Sequence, residues 1–154
     1  MSLALIVSTL LLAGIAPSAA SEDSSTVGVD GLLAAQLQRD PGGTVVGNRV
    51  VYADGSYFAA FDNGTYSISQ CDSGYFCGWA QSSFSGSFFA VTGSGAKVLS
   101  WSTRSYWNHR STVARLQNNG GTASTCFEPG ESRATISSSY YNPPQVTLGT
   151  SSSC

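Results

Sequence analysis

Turn-forming residues recur roughly every eight to ten positions from Asn48 onward, and a chain that reverses so often has room for short strands but not long helices. Asp54-Gly55 separates strand candidates at Arg49 to Ala53 and Ser56 to Phe61, and Asp62-Asn63-Gly64 leads into a third at Thr65 to Ser69. Further strands are predicted at Tyr75 to Ala80, Ser87 to Val91, Val113 to Gln117, Ser132 to Ile136 and Gln145 to Leu148, with Gly-rich loops at 93–95 and 119–121. This rhythm predicts an all-β sandwich rather than an alternating α/β fold. Composition agrees: 42% of the chain is hydrophobic and 11% aromatic, enough for a core, while only 10% is charged against the usual quarter. The net charge of −2 leaves no cationic footprint for nucleic acid or an anionic membrane, so neither is expected as a partner.

The beginning of the chain does not share this pattern. Residues 3–16 form an apolar run that ends at Pro17-Ser18-Ala19-Ala20, small residues that suit signal peptidase. The run is shorter than the roughly 20 residues a spanning helix requires. Residues 1–20 are therefore expected to be a cleaved signal peptide, leaving a secreted, extracellular protein with no membrane attachment. Residues 21–47 read as a lead-in: a polar start, then Asp30 as an N-cap before a short helix with Leu32, Leu33 and Leu37 on one face, closed by Asp40-Pro41-Gly42-Gly43. The β domain is expected over 48–154.

An exported chain with an even number of cysteines implies disulfides. Cys71, Cys77, Cys126 and Cys154 allow three pairings. The short span Asp-Ser-Gly-Tyr-Phe between Cys71 and Cys77 contains a Gly at which the backbone can turn, favouring a local pair and leaving Cys126 with Cys154 to pin the C-terminus. A metal site is not expected, because His109 is the sole histidine and no Cys-x-x-Cys pair occurs.

The most informative stretch is residues 71–89. Trp79, Phe84 and Gly86 satisfy aromatic-x-x-x-x-aromatic-x-Gly, which resembles the Greek-key signature of βγ-crystallins. In such a hairpin two aromatics pack side by side and Gly takes a backbone conformation that a Cβ would penalise. The Cys-x5-Cys loop running into this motif, followed by Ser105-Tyr106-Trp107-Asn108, resembles the secreted microbial peptidase-inhibitor family with a βγ-crystallin-like fold, inhibitor family thirty-six. The segments Leu37 to Thr44 and Asn48 to Gly55 are similar to the lead-in of many actinobacterial members. The resemblance implies a βγ-crystallin-like Greek-key sandwich with a short N-terminal helix, and a non-enzymatic protein whose partner is an extracellular peptidase, some members blocking metallopeptidases of the thermolysin type. The other function class to weigh is a structural or cell-surface binding module with a crystallin-like fold.

Two departures from the resemblance bear on function. Ser100-Trp-Ser-Thr-Arg-Ser105 lacks the carboxylates and amides of a crystallin calcium segment, so no cofactor or calcium is expected. Thr125-Cys126-Phe127 matches the start of the family's inhibitory loop, which makes Cys126 and Phe127 the candidate inhibitory residues. Glu128-Pro129-Gly130-Glu131 follows where the family pattern has a second Cys. Of the remaining residues, Trp101, Tyr106 and Trp107 are expected to pack in the core, and His109 in a surface loop. Asp54, Asp62 and Asp72 lie in Gly-containing turns where Asp serves the backbone, so no acid, base and nucleophile set is expected, and the protein is expected to be monomeric.

Overall fold

A computed structural model describes residues 28–62, 65, 67–118, 120–142 and 144–154. The expected signal peptide at 1–20, the polar residues that follow it and the expected turn residues Asn63-Gly64 lie outside them. Helix α1 (Val29–Arg39) is followed by strands β1 (Thr44–Val46), β2 (Arg49–Val51), β3 (Tyr57–Ala59), β4 (Phe76–Gln81), β5 (Ser85–Val91), β6 (Gly95–Val98), β7 (Ser105–Asn108), β8 (Ala114–Gln117), β9 (Ser124–Phe127), β10 (Ser132–Arg133) and β11 (Gln145–Leu148). Among the described residues the fold is all-β with one short N-terminal α-helix. Seven strands make one antiparallel sheet in the order β1-β2-β3-β5-β4-β7-β10, and four make a second in the order β6-β11-β8-β9.

Alternation along the strands sorts side chains to the two faces of the large sheet. Phe58, Phe76, Phe89, Val91 and Tyr106 face the small sheet and meet Leu116, Phe127, Val146 and Leu148 in the main core. Their neighbours Tyr57, Ala59, Cys77, Trp79, Phe88 and Ala90 face the other way and are covered by Cys71 and Phe84, with Phe61 and Ile68 packed alongside. Both faces of β3, β4 and β5 are thus buried. These strands therefore read as near-continuous apolar runs instead of the alternation of a half-exposed sheet.

The signature residues lie at the expected hairpin. In the three-residue connection between β4 and β5, Ser83 and Phe84 take positive φ (59° and 56°), and Gly86 follows at φ 75°. Left-handed backbone at non-glycine residues is costly. Here it is offset: the Phe84 ring packs edge-on to Trp79 at 5.3 Å, the Phe84 N–H donates to Ser105 Oγ, and the Phe84 carbonyl accepts from Ser67 N–H.

Some local expectations are corrected. The helix starts two residues earlier than predicted, with Gly28 at the N-cap position, so Asp30 sits inside the first turn. There its carboxylate still favours the positive end of the helix dipole. Of the predicted strand at 65–69, Thr65 and Ser67 lie outside any strand and Ile68–Gln70 form a 3-10 turn; Ser67 turns inward, fully buried, to accept a hydrogen bond from the Trp79 indole. Ser132 to Ile136 supplies only a two-residue strand. Leu33 enters the core as expected, and beside it Gln36 is fully buried. The Gln36 amide donates to Tyr52 Oη and Ser100 Oγ and accepts from the Trp101 indole, which fastens the helix to the residue after β2 and to the connection between β6 and β7.

Candidate functional site

Three adjacent strands, β4, β7 and β10, end together at one edge of the large sheet. Because neighbours are antiparallel, β7 finishes where β4 and β10 begin. A turn precedes each of the two outer strands. Residues 72–75 form the first, closed by Tyr75 N–H donating to the Asp72 carbonyl, with Gly74 at φ 90°. Residues 128–131 form the second, closed by Glu131 N–H donating to the Glu128 carbonyl, with Pro129 and Gly130 (φ 77°) at the central positions. Pro followed by a left-handed Gly is the signature of a type II turn. Asp72, Ser73 and Gly74 are exposed, as are Glu128, Pro129 and Gly130.

Asn108, the last residue of β7, and His109, which follows it, hold the two turns. His109 donates its N–H to the Tyr75 carbonyl and accepts from Gly74 N–H at 2.8 Å, whereas Asn108 donates to the Glu131 carbonyl and accepts from Gly130 N–H at 2.8 Å. Successive backbone groups of a strand point to opposite sides, which is why one turn flanks each side of the strand end. The Asn108 side chain does more. It is fully buried, and its Nδ2 donates to the carbonyls of Phe127, Glu128 and Thr112 at 3.1, 3.0 and 2.9 Å. Facing three carbonyl oxygens, that group can only be the NH₂ end of the amide.

Further bonds brace the second turn. Arg133 donates to the Cys126 carbonyl at 2.9 Å, to Thr125 Oγ1 at 2.7 Å and to Glu131 Oε1 at 2.8 Å, with its guanidinium 4.2 Å from the centre of the Phe127 ring. The Trp107 indole donates to the Gly130 carbonyl. Disulfides tie both segments, Cys71 to Cys77 beside the first turn and Cys126 to Cys154 beside the second. Cys154 N–H also reaches Glu128 Oε1 at 3.1 Å. At the first turn, burial pushes the Tyr57 phenol well above the usual tyrosine range, so it stays protonated and donates to Asp72 Oδ2 at 3.0 Å, where Arg49 also pairs.

The candidate inhibitory residues are placed differently from expectation. Phe127 is fully buried, edge-on to Phe76 at 5.3 Å and against Tyr106, so its side chain is part of the core and cannot occupy a peptidase subsite while the protein is folded. Cys126 is half-buried in β9 and paired in register with Arg115. The exposed residues are the ones immediately after them. The three aromatics expected in the core divide: Tyr106 is fully buried, Trp101 stacks on Phe58 at 5.5 Å, and Trp107 lies partly exposed against His109 with ring centroids 3.9 Å apart. His109 Nδ1 meets the Cys71 carbonyl at 2.9 Å and must carry the hydrogen there, since a carbonyl only accepts. Asp54 pairs with Lys97, and among the described residues no three His, Cys, Asp or Glu side chains converge as a metal-binding group.

Residues 64–127 match the model of peptidase inhibitor family I36. The match supports membership of that family. No curated protein and no solved structure matches the chain. The I36 stretch contains the first turn, β4 to β9 and the strand end that carries Asn108 and His109. It stops at Phe127, one residue before the exposed part of the second turn. Sequence reasoning missed Asn108 and the turn role of Glu128 to Glu131. The Pro129-Gly130 pair was the available signal for the turn.

Proposed function

We propose that this protein is an exported inhibitor of an extracellular peptidase, of the metallopeptidase class that the family resemblance implies, and that it acts by wedging the turn Glu128-Pro129-Gly130 into the mouth of the peptidase cleft. The observation that carries this reading is the fastening of that exposed turn to the core through the Asn108 amide, Arg133 and the Cys126–Cys154 disulfide. A loop held in its bound shape before association loses little conformational freedom on binding, which is where tight inhibitors gain over flexible peptides. The i to i+3 hydrogen bond closes the turn, so it does not thread a cleft as an extended strand would. It obstructs the cleft, and Pro129 at its apex offers an imide bond with no N–H. Inhibition on this account needs no reaction and leaves the inhibitor uncut.

The test is a panel of thermolysin-type and serine peptidases titrated with the protein from residue 21 onward. Dose-dependent loss of thermolysin-type activity is expected, with the inhibitor's mass unchanged after prolonged incubation. Absence of inhibition at micromolar concentrations across both classes would sink the reading and favour a structural binding module. Cleavage within 126–131 accompanied by loss of inhibition would instead show substrate-like threading.

A further inference from the structure

Area sets a demand that the second turn cannot meet alone. A specific protein–protein interface buries about 800 Å² on each partner and engages some 20 residues or more a side, whereas the exposed tip of this turn is Glu128, Pro129 and Gly130. Binding must extend onto neighbouring surface, and the order β4-β7-β10 determines what lies next to it. Strands in a sheet are about 4.8 Å apart, so the roots of the two turns, separated by β7, stand roughly 10 Å apart on the same edge.

We infer that the turn Asp72-Ser73-Gly74 and the Trp107–His109 stack form a second contact surface for the same peptidase, so that the target is gripped by two turns across a shared aromatic floor. This rests on the inhibitor reading above. Trp107 and His109, two residues apart, share a face of the chain at the end of β7. Their rings stack at 12°, and each is tied to one turn: the Trp107 indole to the Gly130 carbonyl, and His109 Nδ1 to the Cys71 carbonyl. Amphipathic aromatic rings fixed in this way give contact area without loss of side-chain freedom. The first turn is prepared in the same manner as the second. It is closed by its own hydrogen bond, clamped by the His109 backbone and linked by the Cys71–Cys77 disulfide to β4, while Thr92 Oγ1 donates to the Gly74 carbonyl at 3.3 Å. The Ser73 side chain is exposed, and neither turn needs to change shape to be used.

The experiment compares inhibition constants of three variants against a peptidase that the wild-type protein inhibits, with amide hydrogen exchange of the complex read in parallel. Pro129→Arg crowds the tip of the second turn, Ser73→Arg crowds the first, and Val98→Asp alters a residue on β6, which belongs to the other sheet and is 68% exposed. Thermal melting confirms that each variant is folded. The expected result is a rise in Ki of at least about 100-fold for Pro129→Arg and at least about 10-fold for Ser73→Arg, with Val98→Asp unchanged and amides of both 72–75 and 128–131 slowed in the complex. A wild-type Ki for Ser73→Arg, or unchanged exchange over 72–75, overturns the second surface while leaving the single-turn inhibitor standing. A wild-type protein that inhibits nothing in the panel removes the inhibitor reading itself and this inference with it.

Discussion

The two turns at the end of β7 have the same outline and are held by different means. Both turns are clamped by backbone at the end of β7; to that clamp the Asp72 to Tyr75 turn adds a short disulfide, between cysteines six residues apart, and a carboxylate whose pairing with Arg49 is partly open to water. The Glu128 to Glu131 turn adds a fully buried amide 20 residues earlier, a disulfide spanning 28 residues and a nearby arginine bonded to main chain. The difference teaches where rigidity comes from in a small β domain. Local closure shapes a turn, but long-range closure makes that shape depend on the whole fold.

Removing Asn108 should break the contrast most sharply. Asn108→Ala strips the donor from three carbonyls, and buried acceptors left unpaired cost about 1–3 kcal/mol each before water enters, so a loss of about 4 kcal/mol is expected. Urea denaturation measures it, and a loss below about 1 kcal/mol would show that the second turn does not need its amide. The disulfides come next. Replacing each cystine by a pair of alanines should cost roughly 3.6 kcal/mol for Cys126–Cys154 and roughly 2.4 kcal/mol for Cys71–Cys77, from the loop each one closes. An inverted order would show that strain or packing, not loop length, distinguishes the two links. Arg133→Met follows at about 2 kcal/mol, because the arginine's bonds to the Cys126 carbonyl and Thr125 Oγ1 are lost together with its ion pair to Glu131.

What could be read in the sequence divides along the same line. The β4–β5 hairpin is legible because Trp79, Phe84 and Gly86 are near one another in the chain and their spacing is itself the geometry. The disulfide pairing is legible for a similar reason, since one short span leaves a single partner for each remaining cysteine. The weight of Asn108 is not legible. An asparagine after Trp107 suits a surface loop as well as a buried clamp, and only the approach of Phe127 and Glu128, far along the chain, decides between them. Phe127 misleads for the converse reason: a hydrophobe after Cys suits an inhibitory bond, but in β9 alternation turns it to the core, against Phe76. Strand β6 escapes prediction because it begins at Gly95, inside a Gly-rich run that reads as loop, and it forms only by pairing with β11, which lies about fifty residues on.

The smallest effects test whether the turns are equivalent once their fastenings are set aside. A Cβ built on Gly74 or Gly130 would meet no atom within 4 Å, so alanine there is penalised by the positive φ alone. Gly74→Ala and Gly130→Ala should each cost about 1 kcal/mol, and thermal melts that separate them by much more would reveal a constraint at one turn beyond its own dihedrals. Arg49→Met closes the series as the counterpart of Arg133→Met. Both guanidiniums lie over an aromatic ring, at 4.3 Å for Arg49 on Tyr57 and 4.2 Å for Arg133 on Phe127, so the stacking contribution is nearly matched. Arg49 has no main-chain acceptor among its described hydrogen bonds, and its pairing with Asp72 at 3.4 Å joins a partly exposed guanidinium to an exposed carboxylate. Pairs of that kind contribute about 0.5 kcal/mol or less. If Arg49→Met destabilised the protein as much as Arg133→Met, the first turn would depend on long-range closure as heavily as the second.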